Sequence, residues 1–204
     1  MAESAARGAS PLVVKVGGSL AETGRMHSVL SLIAVARVPV VVVPGGGPFA
    51  DSIRALQPQM KFNDAVAHRL AMLAMQQMAE LIVSQQPRFE IAQTLDEISG
   101  VLRNGQVPVW TPLRMISGDA AVPAGWSATS DSLAARLAEL LGARLVLLKS
   151  VDVDAGADLD DLARRGVVDP VLPSIVARGG LSWSIFGPSG DARLRVVLEG
   201  EGER

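Results

Sequence analysis

The sequence predicts a three-layer α/β/α sandwich built on a central, mainly parallel β-sheet. Three observations carry that prediction. Strand-like and helix-like segments alternate along the chain, as they do in successive βαβ units. The strand-like segments are almost continuously apolar, as in Val40-Val41-Val42-Val43, which suits strands covered on both faces. Apolar residues make up 49% of the 204 positions but aromatic ones only 3%, so Val, Leu, Ala and Ile supply the core. A chain of this length suits one ordinary domain.

Residues 1–10 are small and polar and read as a disordered lead-in, leaving 11–204 as a single domain. Leu12 to Val16 is the first strand, and it ends in Lys15-Val16-Gly17-Gly18-Ser19. Met26 to Ala36 places Val29, Leu30, Ile33 and Val35 at helical spacing before Pro39 ends the helix. The return to a second strand, Val38 to Val43, makes a right-handed crossover. Pro44 closes that strand, and Gly45-Gly46-Gly47 leads into a helix from Phe49. Asp64 to Ser84 is a long helix whose Met72, Met75 and Met78 point to core or a subunit interface. Thr94-x-x-Glu97 is a capping box opening a helix that runs to Arg103, with Gly105 beyond it. Val107 to Trp110 is a strand. The stretch 111–128, with Arg114, Asp119 and Ser127, is a loop long enough to suggest function. Ser130 to Leu141 is a helix closed by Gly142, and Arg144 to Leu148 a buried strand. Asp152, Asp154, Asp158, Asp160 and Asp161 crowd a loop and helix start, where a solvated acidic loop is favoured over a metal site. Ser182 to Phe186 is a last strand before Gly187-Pro188-Ser189-Gly190.

Composition excludes several classes of function. A net charge of −2 without a basic run argues against a nucleic-acid surface. The absence of cysteine removes disulfides and thiolate metal sites and fits a reducing compartment. No signal peptide opens the sequence and no uncharged stretch reaches membrane-spanning length, so a cytoplasmic protein is expected.

The positive signal lies in the two glycine-ended strands. Residues without side chains let backbone N–H groups approach an anion, and Lys15 adds a mobile point charge. One such loop is weak support. Two, each after an apolar strand, suggest that phosphate passes between two anionic ligands.

Lys15-x-Gly17-Gly18-Ser19, Pro44-Gly45-Gly46-Gly47-x-x-Ala50-Asp51, Thr129-Ser130-Asp131-Ser132 and Leu148-Lys149-Ser150-Val151-Asp152 stand in an order that resembles the amino acid kinase superfamily. Acetylglutamate, carbamate, uridylate and isopentenyl phosphate kinases belong to it. Pro108-Val109-Trp110 and Ser127-x-Thr129-Ser130-Asp131-Ser132 look most like its small kinases of methanofuran and methylofuran biosynthesis, which phosphorylate an (aminomethyl)furanmethyl phosphate to the diphosphate. The resemblance implies an ATP- and Mg2+-dependent kinase, a homo-oligomer, acting on a small phosphorylated acceptor. It makes Lys15, Asp131 and Lys149 catalytic, and places Gly17, Gly18, Ser19, Lys149, Ser150 and Asp152 along the nucleotide. Gly45, Gly46, Gly47, Asp51, Thr129 and Ser130 would hold the acceptor. Asp131 would orient lysine and, with Mg2+, the ATP phosphates, while Asp51 suits an acceptor ammonium.

This sequence also departs from the superfamily pattern. The superfamily's late catalytic lysine is missing after Arg178-Gly179-Gly180, and only Lys15, Lys61 and Lys149 exist, so either Lys149 or an arginine such as Arg178 supplies the second cation, or the late site differs. No arginine follows the triple glycine closely, as uridylate kinases require, and no histidine, as isopentenyl phosphate kinases do. His68 reads either as a helix-face histidine or as a contact to an anionic acceptor. The alternatives are a nucleotide- or oxyanion-storage protein of the same fold, or a kinase for a nucleoside monophosphate or acyl amino acid.

Overall fold

A computed structural model describes residues 10–154 and 156–200; the lead-in expected over the first residues lies outside them up to residue 9. The chain forms β1 (Leu12–Val16), α1 (Ser19–Glu22), α2 (Arg25–Ala34), β2 (Val40–Pro44), α3 (Gly47–Met60), α4 (Asp64–Val83), β3 (Phe89–Ala92), α5 (Leu95–Arg103) and β4 (Val107–Trp110). There follow α6 (Leu113–Ile116), α7 (Ser130–Leu141), β5 (Arg144–Leu148), α8 (Leu159–Arg164), α9 (Leu172–Gly179), β6 (Trp183–Phe186) and α10 (Asp191–Glu199).

The sheet order is β3-β4-β2-β1-β5-β6, and every pairing is parallel. Alternation along the central strands builds two cores. Val13 of β1, Val41 and Val43 of β2 and Leu145 and Leu147 of β5 face α7, α8 and α9, whereas Leu12, Val14 and Val16 face α2 and α10. Lys15 shares the parity of Val13 and therefore turns toward α7. Chain direction does the rest: after β1 the chain enters the α2 layer, and after β5 it enters the α8–α9 layer. Adjacent strands leaving toward opposite faces open a crevice at their carboxyl ends, where α/β proteins bind ligands.

Several expectations shift. The second strand's ladder begins at Val40, not Val38, because Arg37 and Val38 donate to the Leu198 carbonyl at the end of α10. The helix expected from Phe49 starts at Gly47, and 111–128 is interrupted by α6. The last strand begins at Trp183. The edge strand β3 was not legible: Phe-Glu-Ile-Ala is short, and Glu90 faces solvent. Met72, Met75 and Met78 are buried in the core. No helix among the described residues is long and apolar enough to cross a membrane.

Candidate active site

Lys15 and Lys149 approach one carboxylate from two strand ends. Lys15 Nζ lies 2.9 Å from Asp131 Oδ1, and Lys149 Nζ lies 2.5 Å from Asp131 Oδ2. Asp131 occupies the first turn of α7, where the helix dipole favours an acid. Lys15 and Asp131 are buried, at 6% and 3% exposure, and the Lys149 side chain is nearly so. Burial pushes the Asp131 carboxyl up, but the Lys15 and Lys149 ammoniums outweigh it and hold it below its ordinary value. Burial and the Lys15 charge pull the Lys149 ammonium down, against Asp131. Two ammoniums share Asp131 at the crevice, with Asp169 also within reach of their field, and each is a positive group that can attract phosphate.

The β1 and β5 loops meet here. Ser19 Oγ donates to Ser150 Oγ at 3.2 Å, so two residues assigned to the nucleotide stand together. Buried Arg25, at the start of α2, fixes the β5 end by donating to the Lys149 carbonyl at 2.5 Å and the Gly187 carbonyl at 2.6 Å, and it pairs with Asp191. Asp152 accepts from Ser189 N and Oγ, which anchors the loop after β6. The remaining acids of that stretch do not converge: Asp158 caps α8, and Asp161 pairs with Arg164 and Arg165. Among the described residues no group of three or more acids and histidines is placed to hold a metal.

The two glycine loops touch backbone to backbone. A Cβ on Gly18 would overlap the backbone of Gly47, and one on Gly45 would overlap the Gly18 nitrogen. Gly47 also takes a left-handed conformation, φ +53°, as it enters α3. These glycines thus permit the contact between cradles besides leaving room for an anion. A Cβ on Gly46 would strike Ala50.

Beyond the triple glycine lies a cavity of about 220 Å³ lined by Gly45–Gly47, Asp51, His68, Met72, Thr129 and Ser130 among others, which brings together all six residues assigned to the acceptor. Asp51 is exposed and pairs with Arg54 at 2.8 Å. Arg54 stacks over Trp126, 4.4 Å from the ring centroid, and Trp126 Nε1 donates to Gln57 at 2.6 Å. His68 is buried on α4, with Nδ1 3.3 Å from the Gly125 carbonyl, and burial lowers its pKa despite that bond. Buried Asp169 accepts from the Thr129 hydroxyl, from Thr129 N at 2.8 Å and from Ser132 N at 2.9 Å. It caps α7 from outside the helix, because the Thr129 side chain makes no cap of its own. Burial and the Asp131 charge raise its pKa, opposed by those hydrogen bonds.

The structure also separates candidates. Arg178, weighed as the second cation, is held by Glu139 through two 2.8 Å hydrogen bonds, whereas Lys149 joins Asp131. Arg114 pairs with Glu97 on the surface and Asp119 with Arg136, so the suspected loop is pinned rather than free. Arg25, Arg54, Trp126 and Asp169 were missed. None belongs to a motif, and Asp169 in Val-Val-Asp-Pro carries no local sign of burial.

Comparison with known proteins bears on the family and the fold. The profile described as "Amino acid kinase family" matches residues 10–165. The [5-(aminomethyl)furan-3-yl]methyl phosphate kinase of Methanocaldococcus jannaschii is 22% identical over 203 residues, covering 93% of each chain. A solved uridylate kinase from Archaeoglobus fulgidus superposes with a TM-score of 0.68 at 20% identity, over 94% of this chain and 96% of that one. The carbamate kinase of Giardia lamblia, solved with AMP-PNP, gives 0.50 at 14% identity over 96% of each. The sheet and its flanking helices match the fold of the two solved kinases. The chain is a kinase of the amino acid kinase family.

Proposed function

We propose that this kinase transfers the γ-phosphoryl group of ATP to the phosphate of [5-(aminomethyl)furan-3-yl]methyl phosphate, forming a diphosphate in methylofuran- or methanofuran-type cofactor biosynthesis. The observation that carries the reading is the Lys15–Asp131–Lys149 cluster, placed where the two glycine loops touch. A terminal acceptor phosphate oxygen attacks the γ-phosphorus, and the bond to the β-phosphate oxygen breaks. The nucleophile is already anionic, so no general base is needed. What the protein must supply is positive potential and alignment between two anions that repel.

Lys15, between the cradles, steadies the charge of the transferring group. Lys149 is the second cation, replacing the lysine the family carries later in its chain. Gly17, Gly18, Ser19 and Ser150 fit a nucleotide's phosphates, since their loops present backbone and hydroxyl groups without bulk. A cavity of about 390 Å³ beside β6, lined by Trp183, Phe186 and Arg193 among others, has room for the base. Mg2+ brings charge neutralisation to phosphoryl transfer. Both Asp131 oxygens are taken by lysines, so the ion would be carried mainly by the nucleotide's phosphates.

The furan acceptor is supported by the relative from M. jannaschii and by a cavity that pairs an anion cradle with apolar walls and an acid. A screen for ATP consumption over the furan phosphate, nucleoside monophosphates, carbamate and acyl amino acids tests it, with products read by 31P NMR. Diphosphate formation from the furan phosphate is the expected result. Turnover of another class without the furan phosphate would reject the assignment.

A further inference from the structure

If the acceptor is a small phosphate, as that reading holds, the cavity must still distinguish one such compound from another. Its glycine end recognises an anion, which all candidate acceptors share. Selectivity must come from the other wall.

There His68 is the buried polar side chain, at 7% exposure, on a helix whose neighbouring Ala71, Met72 and Met75 also line the cavity. Its Nδ1 meets the Gly125 carbonyl, an acceptor without a proton, so Nδ1 must carry the hydrogen. Desolvation keeps the ring neutral. The neutral tautomer that donates from Nδ1 has a lone pair on Nε2. Among the described residues Nε2 has no protein partner. Nε2 is not sealed from solvent, so its lone pair is open to a ligand in the cavity, where it accepts from a donor and repels an anion.

We infer that His68 selects amine-bearing acceptors, its Nε2 accepting a hydrogen bond from the substrate's ammonium group. The reading of His68 as a contact to an anionic group is thereby reversed. Asp51 is the weaker candidate for this role, because its side chain is 62% exposed and already shared with Arg54, so water screens what remains of its charge. His68 as a residue is far less exposed than Asp51, so water screens its contact less, and a neutral isostere of the substrate leaves its acceptor unmet.

The imidazole's two nitrogens allow ammonium recognition to be separated from simple pinning of the Gly125 loop. His68→Asn keeps a donor near the Nδ1 position but removes the acceptor at Nε2; His68→Gln extends a carbonyl toward Nε2 and gives up the Gly125 bond. Calorimetric Kd and kcat/KM are measured for the aminomethylfuran phosphate and for its analogue with methyl in place of aminomethyl. Wild type should prefer the amine by roughly ten- to a hundredfold, the range for one hydrogen bond to a charged group. The Gln variant should retain most of that preference and the Asn variant should lose it. An Asn variant with wild-type preference, or a wild type that does not discriminate, overturns the inference. Discriminating binding that depends on His68, without turnover of either compound, would support it while rejecting the kinase acceptor proposed above.

Discussion

Asp131 is shared by two buried ammoniums, and its substitution separates stability from chemistry. Asp131→Asn leaves two cations facing each other without their counter-ion, at a cost of roughly 3–5 kcal/mol, or a fall in Tm of about 10 °C for a chain of this size. ATP or pyrophosphate should restore much of that loss, because an anion then takes the place of the carboxylate. A Tm unmoved by the substitution would show that the lysines are not charged neighbours. Lys15→Ala and Lys149→Ala should each lower kcat about 100-fold or more, the effect of deleting one preorganised charge. Near-normal kcat for the Lys149 variant would return the second cation to an open question. The sequence made Lys15 and Asp131 visible through their motifs. It left Lys149 and Arg178 undecided, because both are basic residues beside small ones and only their partners tell them apart.

At the scale of elements, α7 is held at both ends by residues from other segments. Its first turn is capped by Asp169, so Asp169→Ala should cost about 1–2 kcal/mol, read from chemical denaturation, while Asp169→Asn, whose carbonyl can still accept the two backbone N–H groups, should recover most of it. Equal losses in the two variants would mean that charge rather than capping matters. Near its last turn Glu139 pairs with Arg178 of α9 and with Arg136. The Arg178 hydrogen bonds, opposed by partial burial, lower the Glu139 pKa from 4.5 to about 2. A carboxyl depressed on folding stabilises the native state above its unfolded pKa and loses that contribution as pH falls through the folded one. Stability should therefore decline between about pH 4.5 and 2, and Glu139→Gln should flatten that decline in a urea titration across pH. An unchanged slope would remove the α7–α9 pair from the acid response. Element identities were largely legible: Thr94 caps α5 as read, accepting from Glu97 N, while the returning Glu97 carboxylate accepts from Gln93 N, one residue before the cap. The β3 strand was hidden because an edge position with one solvent-facing residue lacks the apolar run of the interior strands.

Across the whole molecule, Arg25 ties four segments together: α2 itself, the ends of β5 and β6, and α10 through Asp191. Arg25→Ala should cost roughly 2–4 kcal/mol, since two carbonyls lose a charged donor, and should lower kcat by loosening the backbone that carries Lys149. Normal stability with normal kcat would show that the β5 end is positioned without it. The sequence by itself determined the α/β/α class, the apolar interior strands, both glycine loops and the starts of the helices at Asp64, Leu95 and Ser130, because each depends on residues within a few positions of one another. Tertiary structure alone decided which side chains meet. Lys15 turns toward α7 because strand parity puts it on Val13's face, and Arg25 reaches Asp191 across 166 positions because β1, β5 and β6 are neighbours in the sheet. Strand order is set by the packing of both faces at once, so no local pattern of residues encodes it.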